Sequence, residues 1–140
     1  MLRVLQERVI TRVGDTKNIE IDVRIIAASN EDMFESVKEG HFREDLYHRL
    51  NEFKINIPPL RERKEDILIF ANHFMLSANE ELDKNVNKFP AAVIEVMQNY
   101  PWFGNLRELK NVIKRSVLLA ENTTITIDHL PEEIKNLRTP

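Results

Sequence analysis

Apolar and polar positions follow a short, strand-like period in the first part of the chain and a helical one from residue 63 onward. Leu2, Val4 and Leu5 predict the last turns of a helix over residues 1–7. Val9, Thr11 and Val13 alternate with Ile10 and Arg12 as a strand over residues 9–13. Gly14-Asp15 signals a turn, and residues 18–22 return with Ile19 and Ile21 on one face, so this region reads as a hairpin looped around residues 14–17. The run VRIIAA at 23–28 is almost continuously apolar, the pattern of a strand buried on both faces of a parallel sheet. Asn30 follows its carboxyl end, where open α/β sheets bind ligands. As a preferred cap, Asn30 also suits the start of a helix over residues 31–38, which Gly40 closes.

A second helix is expected over residues 42–50, with Leu46 and Leu50 on its inner stripe and Phe42 a turn earlier. Residues 54–57, with Phe53, Ile55 and Ile57 on one side, read as a short strand. Pro58-Pro59 must stop it: neither ring nitrogen donates, and Pro59 holds the residue before it extended. Beyond Arg63 the chain reads as helices, with Asp66 as a first-turn acid. Ile67, Phe70, Ala71, Phe74 and Ala78 mark one apolar face. Residues 83–88 form a polar loop, and Pro90 suits the first turn of a helix carrying Val93, Ile94 and Met97. The segment YPWFG breaks that helix, with Trp102 and Phe103 expected as core anchors. Asn105 with Glu108 resembles a capping box at the head of a long helix. Its expected core stripe is Leu106, Leu109, Ile113, Val117 and Ala120. Residues 123–127 are expected to be extended, and residues 128–137 to form a short terminal helix with Pro131 in its first turn.

Composition narrows the function classes. Hydrophobic residues at 42% and charged residues at 31% describe an ordinary globular chain. A net charge of −3 argues against a dedicated nucleic-acid binder, which shows a basic face. The absence of cysteine excludes disulfides and thiolate metal sites and fits a reducing cytosol. His41, His48, His73 and His129 are scattered without ligand spacing, so no metal site is expected. No apolar run approaches a membrane span, and no signal peptide opens the chain.

The densest chemistry lies in residues 42–63, FREDLYHRLNEFKINIPPLRER, with Arg43, Arg49, Arg61 and Arg63 set among acids. Arginine is permanently charged and carries a fork of donors matched to phosphate or carboxylate. At about 100° per residue, Arg43 and Arg49 on one continuous helix point roughly 120° apart. They cannot both clamp one phosphate unless that helix ends between them. On composition alone the plainer alternative is favoured: surface arginines paired with Glu44, Asp45 or Glu52. Arg107 follows the expected cap by two positions, at the positive end of a helix. A cation there costs a few tenths to about 1 kcal/mol unless an anion is near. A phosphate would satisfy it, and so would a salt bridge to an acid, which is the plainer reading.

FREDLYHRL followed by INIPPLRERKEDI resembles the signature of the AAA+ ATPases that activate sigma-54 RNA polymerase. RVLQERVITRVG, DVRIIAASN and YPWFGNLRELKNVIKRSVLL are similar to further motifs of that family, in its order, over nearly the whole chain. The resemblance implies an α/β fragment, the C-terminal part of a AAA+ core, over residues 1–60. An all-α helical lid subdomain follows over residues 61–140. It implies that Asn30 is sensor I, that Arg43 and Arg49 are arginine fingers reaching a neighbouring subunit's nucleotide, and that Arg107 is sensor II. One of the two fingers is expected to reach the neighbour's γ-phosphate more directly, the other to stabilise the interface. Leu106 matches an apolar position near adenine, and Leu60 and Ile67 are implied to line the same pocket. ATP and Mg are the implied cofactors of the whole ATPase. Sigma-54 RNA polymerase and neighbouring ring subunits are the implied partners, in the cytoplasm. Small departures remain: Ser29 stands where threonine is common, His48 where tyrosine is frequent, and Phe103 where proline usually precedes Gly104.

The chain holds no GxxxxGK[ST] phosphate loop, no acidic strand end to hold magnesium and no GAFTGA-like loop. It is therefore expected to be a C-terminal piece of an ATPase domain. No turnover of its own, no tightly bound nucleotide and no direct DNA contact are expected. Residues 1–57, with a buried-type strand lacking sheet neighbours, are expected to rearrange or to be protected by self-association through the truncated sheet. The alternative from another class is a non-catalytic helical protein-interaction module, with Arg43 and Arg49 as partner contacts.

Overall fold

The computed structural model describes residues 2–136, and the chain divides into two compact units, residues 1–56 and 57–140. The Leu137 end of the expected terminal helix lies outside the described residues.

The first unit opens with α1 (Leu2–Glu7), followed by an antiparallel hairpin of β1 (Val9–Thr11) and β2 (Asn18–Glu20). Its register pairs Val9 with Glu20, Ile10 with Ile19 and Thr11 with Asn18. Gly14 takes a φ of +82°, and the Asp15 carboxylate accepts from the Thr16 and Lys17 amides. The expected hairpin therefore forms, with shorter arms. Residues 23–28 do not form a strand. No sheet partner exists for them among the described residues, and Val23, Ile25 and Ile26 are exposed. Residues 54–57 are likewise irregular, with Phe53, Ile55 and Ile57 exposed. An apolar β-branched run specifies a strand only when neighbours complete its hydrogen bonds and cover its faces.

Two short helices follow the unpaired run. In α2 (Met33–Lys38) the cap is Asp32, not Asn30: its carboxylate accepts from the Phe34 amide at 2.9 Å and the Glu35 amide at 3.4 Å. Gly40, at φ +76°, ends the helix as expected. The second helix, α3 (Glu44–Leu50), starts later than expected. Arg43 is its N-cap residue, with extended backbone (φ −72°, ψ 130°). The angular divergence derived from one continuous helix therefore does not apply to Arg43 and Arg49. Phe34 and Tyr47 bring α2 and α3 together with ring centroids 6.2 Å apart. No described residue of this unit is fully buried.

The second unit has a dense core. A 3-10 turn (Leu60–Glu62) leads into α4 (Lys64–Leu82), then α5 (Ala91–Asn99), α6 (Asn105–Leu119), a 3-10 turn (Ile127–His129) and α7 (Glu132–Lys135). Helix α4 packs chiefly on α6, through Ile67, Ala71, Met75 and Ala78 on one side and Leu109, Ile113 and Val117 on the other. Phe70 and Phe74 pack at its margin. The loop at 83–88 is not wholly polar: Val86 is buried, its backbone held by both ends of the Asn79 amide. Asp83 ends α4 in the left-handed region, at φ 51°. The extended stretch beyond α6 pairs back at Lys88 and Thr124, burying Ile125.

Trp102 is the anchor expected of it, fully buried, edge-on to Tyr100 and donating from its indole Nε1 to the Met97 carbonyl at 2.7 Å. Phe103 is not; it is exposed. Leu106 is not part of the core stripe either, being 37% exposed, and Val112 and Ser116 complete that stripe. Ser116 satisfies its hydroxyl on the Val112 and His129 carbonyls.

Candidate functional site

The expected functional residues fall in both units. Asn30, Arg43 and Arg49 belong to the first; Leu60, Ile67, Leu106 and Arg107 belong to the second.

In the first unit, Asn30 is exposed just after the unpaired apolar run. Ser29 turns the backbone there by accepting from the Glu31 amide at 3.1 Å. Arg43 is engaged: Nε donates to Asp45 Oδ1 at 3.1 Å and a terminal nitrogen to Oδ2 at 2.8 Å, a fork-on-fork pair. The Arg43 hydrogen bond holds the Asp45 carboxyl below the usual carboxylate range. In the second unit, Arg61 sits 3.9 Å from Glu62, and Arg63 bonds Asp66 at 2.6 Å while lying over the Phe70 ring. Arg49 differs from these three. It lies in the last turn of α3, is exposed, and has no acid within ion-pair distance among the described residues. A cation there suits the negative end of the helix.

In the second unit, the turn at residues 100–105 sets the head of α6. Trp102 and Asn105 take positive φ of 47° and 52°. The expected capping box does not form, since the N-cap residue has no side chain and Asn105 lies inside the helix. Gly104 is the N-cap, and its amide donates to Glu108 Oε2 at 2.8 Å, while the Tyr100 hydroxyl donates to Oε1 at 2.9 Å. Burial, and then the Glu108 hydrogen bond, push the Tyr100 phenol upward from its ordinary value. Glu108 is thus committed to the turn. Arg107, exposed in the first turn of α6, has no acid within ion-pair distance among the described residues. The salt bridge that would have explained it is not formed, and the cation remains at the positive end of the helix, next to the exposed Leu106. Leu60 and Ile67 are in the core, at 2% and 0% exposure.

An exposed guanidinium at a helix head can hold an anion, and the exposed leucine beside it offers apolar surface. No group of three or more His, Asp or Glu side chains placed for a metal occurs among the described residues. No described helix is long and apolar enough to cross a membrane. Sequence reasoning passed over Asn105 as anything but a cap. Its amide oxygen instead accepts from the Leu60 backbone N–H at 2.8 Å, across 45 residues. No local pattern could reveal a partner so distant.

The helical unit is the lid of an AAA+ ATPase: residues 61–140 match the AAA+ ATPase lid domain. Residues 1–56 match the Sigma-54 interaction domain. The chain belongs to the sigma-54-dependent transcriptional activators, as the C-terminal part of their AAA+ ATPase domain. It is 44% identical over 135 residues to the nitrogen fixation protein AnfA of Azotobacter vinelandii, covering 96% of this chain and 25% of AnfA. It is 46% identical over 132 residues to the formate hydrogenlyase transcriptional activator FhlA of Escherichia coli, covering 94% of this chain and 19% of FhlA. Among solved structures, NtrX from Brucella abortus in complex with ATP superposes with a TM-score of 0.88 at 36% identity, covering 99% of this chain and 33% of that one. The α/β fragment followed by a helical lid is therefore the fold of this chain. The chain spans about a quarter of the length of the curated relatives it matches.

Proposed function

We propose that this chain supplies the nucleotide-sensing and neighbour-completing part of an ATPase that couples ATP hydrolysis to remodelling of sigma-54 RNA polymerase. The observation that carries this is the pair of exposed arginines without acid partners among the described residues, Arg49 ending α3 and Arg107 opening α6. Motif resemblance supports the reading, since it implies a nucleotide contact for each of them.

Arg49 is the finger that reaches the neighbouring subunit's γ-phosphate. Arg43, already forked onto Asp45, steadies the interface and the start of α3. Asn30 reads the terminal phosphate, and Arg107 contacts the phosphates within its own subunit. Leu106 presents its exposed side chain to the base, and Leu60 and Ile67 support the floor beneath from the core. ATP with Mg supplies the scissile phosphoanhydride and its charge neutralisation. The fingers stabilise charge that develops on the transferred phosphoryl group. The protein works in the cytoplasm, in a ring of like subunits, and movement of the lid about Pro58-Pro59 passes the nucleotide state on. Lacking a phosphate-loop lysine, this chain by itself is expected to show no turnover above a protein-free control.

The test is R49A in the complete ATPase that carries this chain. Hydrolysis should fall by about 10³ or more, the scale of an arginine finger, while nucleotide affinity is kept. R49A with unchanged turnover would remove Arg49 from the reaction.

A further inference from the structure

Pro58 and Pro59 have no N–H, so the Leu60 amide is the first backbone donor after Ile57. It heads the 3-10 turn Leu60–Glu62, whose own bonds run from the Glu62 amide to the Pro59 carbonyl and from the Arg63 amide to the Leu60 carbonyl. The Leu60 N–H is thus a leading donor with no partner inside its turn. Asn105 supplies the acceptor, Oδ1 at 2.8 Å, from the far side of the sequence. Its Nδ2 faces the Phe103 carbonyl at 3.5 Å, which fixes the amide's orientation. Asn105 holds this geometry in the left-handed region, at φ 52°, where asparagine is tolerated better than most side chains. The turn beneath it is braced by Trp102 on the Met97 carbonyl and by Glu108 on the Gly104 amide. Leu106 and Arg107 follow Asn105 directly.

We infer that Asn105 is a positioning residue: it ties the chain entering the lid, at Leu60, to the turn that presents Leu106 and Arg107. Displacement of Arg107 by a bound phosphate is thereby felt at the Pro58-Pro59 segment, and the reverse. This rests on the reading of Arg107 as a nucleotide contact. A second consequence follows from the linkage: nucleotide bound at Arg107 steadies the Leu60 amide, and a secured Leu60 amide favours nucleotide to the same degree.

The test uses the complete ATPase that carries this chain, with ADP as the probe. N105G removes the acceptor while keeping positive φ accessible, which separates the hydrogen bond from the backbone conformation. N105D keeps an oxygen facing Leu60, but it sets its second oxygen against the Phe103 carbonyl and adds a negative charge two residues from Arg107, so its rescue is partial. ADP should bind roughly fivefold or more weakly to N105G, at the low end of inter-site couplings, and N105D should recover part of that loss. R107A should weaken ADP binding as well. The N105G/R107A double variant should match R107A alone, because the first residue acts through the second. Additive losses would mean that Asn105 only stabilises the lid, and would overturn the inference. R107A without effect on ADP affinity would instead refute the reading of Arg107, and the inference with it. Should N105G fail to fold, amide exchange in the unaltered protein decides. ADP should slow exchange at Leu60, and R107A should abolish that slowing; a Leu60 amide indifferent to ADP would overturn the inference.

Discussion

Replacing Trp102 with phenylalanine probes the packing that sets the head of α6. The indole is fully buried, and its Nε1 donates to the Met97 carbonyl at 2.7 Å. In a continuing helix that carbonyl would accept from residue 101, but residue 101 is proline and has no N–H. Trp102 is therefore what satisfies it. Phenylalanine keeps an aromatic ring against Tyr100, whose centroid lies 5.0 Å from that of Trp102, but it removes the donor. A buried carbonyl left unpaired costs about 1–3 kcal/mol. The smaller ring leaves a void worth roughly 1–2 kcal/mol, well under the 3–5 typical of truncation to alanine. The sum, about 2–5 kcal/mol, is a large share of a small unit's stability. Urea unfolding followed by far-UV circular dichroism is the assay, since the variant loses the chain's one tryptophan and with it the fluorescence signal. The midpoint should fall with the slope unchanged. A loss under about 0.5 kcal/mol, the range of ordinary surface changes, would show that the indole neither caps α5 nor anchors the turn.

N79A removes both amide contacts to Val86, at 2.7 and 3.0 Å, and should cost about 1–3 kcal/mol in the same titration. N79D should not rescue it, because it sets an oxygen against the Val86 carbonyl. For Tyr100 the folded value lies above the unfolded one, raised by burial and then by the bond to Glu108. Its contribution is complete below the ordinary phenol value near 10 and is lost as pH rises through the raised value. The unfolding midpoint should therefore drop more steeply above about pH 10 in the unaltered chain than in Y100F; parallel curves would contradict the assignment.

Elements that carry their own instructions were legible in the sequence. The Gly14 turn, the Gly40 helix end and the apolar face of α4 need only local chemistry, and each forms. The runs at 23–28 and 54–57 misled because their apolar character answers to neighbouring strands, and the described residues include none. Asp32 rather than Asn30 caps α2: both are good caps, and a shift of two residues is below what propensity resolves. Arg43, Arg49 and Arg107 were found through motif resemblance. What residue types alone could not separate is that Arg43 is bound to Asp45 while Arg49 has no acid partner among the described residues. That distinction needs coordinates, because Glu44, Asp45 and Glu52 are all near in sequence. Leu106 escaped the core although it fits the helical stripe, since the tight turn at Gly104 and Asn105 leaves the first residues of α6 at the margin.

The claim that matters most is that Arg49 completes a site on another subunit. Mixing tests it: complete ATPase subunits carrying R49A are combined with subunits that keep Arg49 but cannot bind nucleotide. Each population alone should be nearly inactive. Together they should recover hydrolysis well above either, as intact nucleotide sites meet intact arginines across the subunit boundary. Mixed rings that assemble yet hydrolyse no more than the two populations apart would place Arg49 outside its neighbour's site.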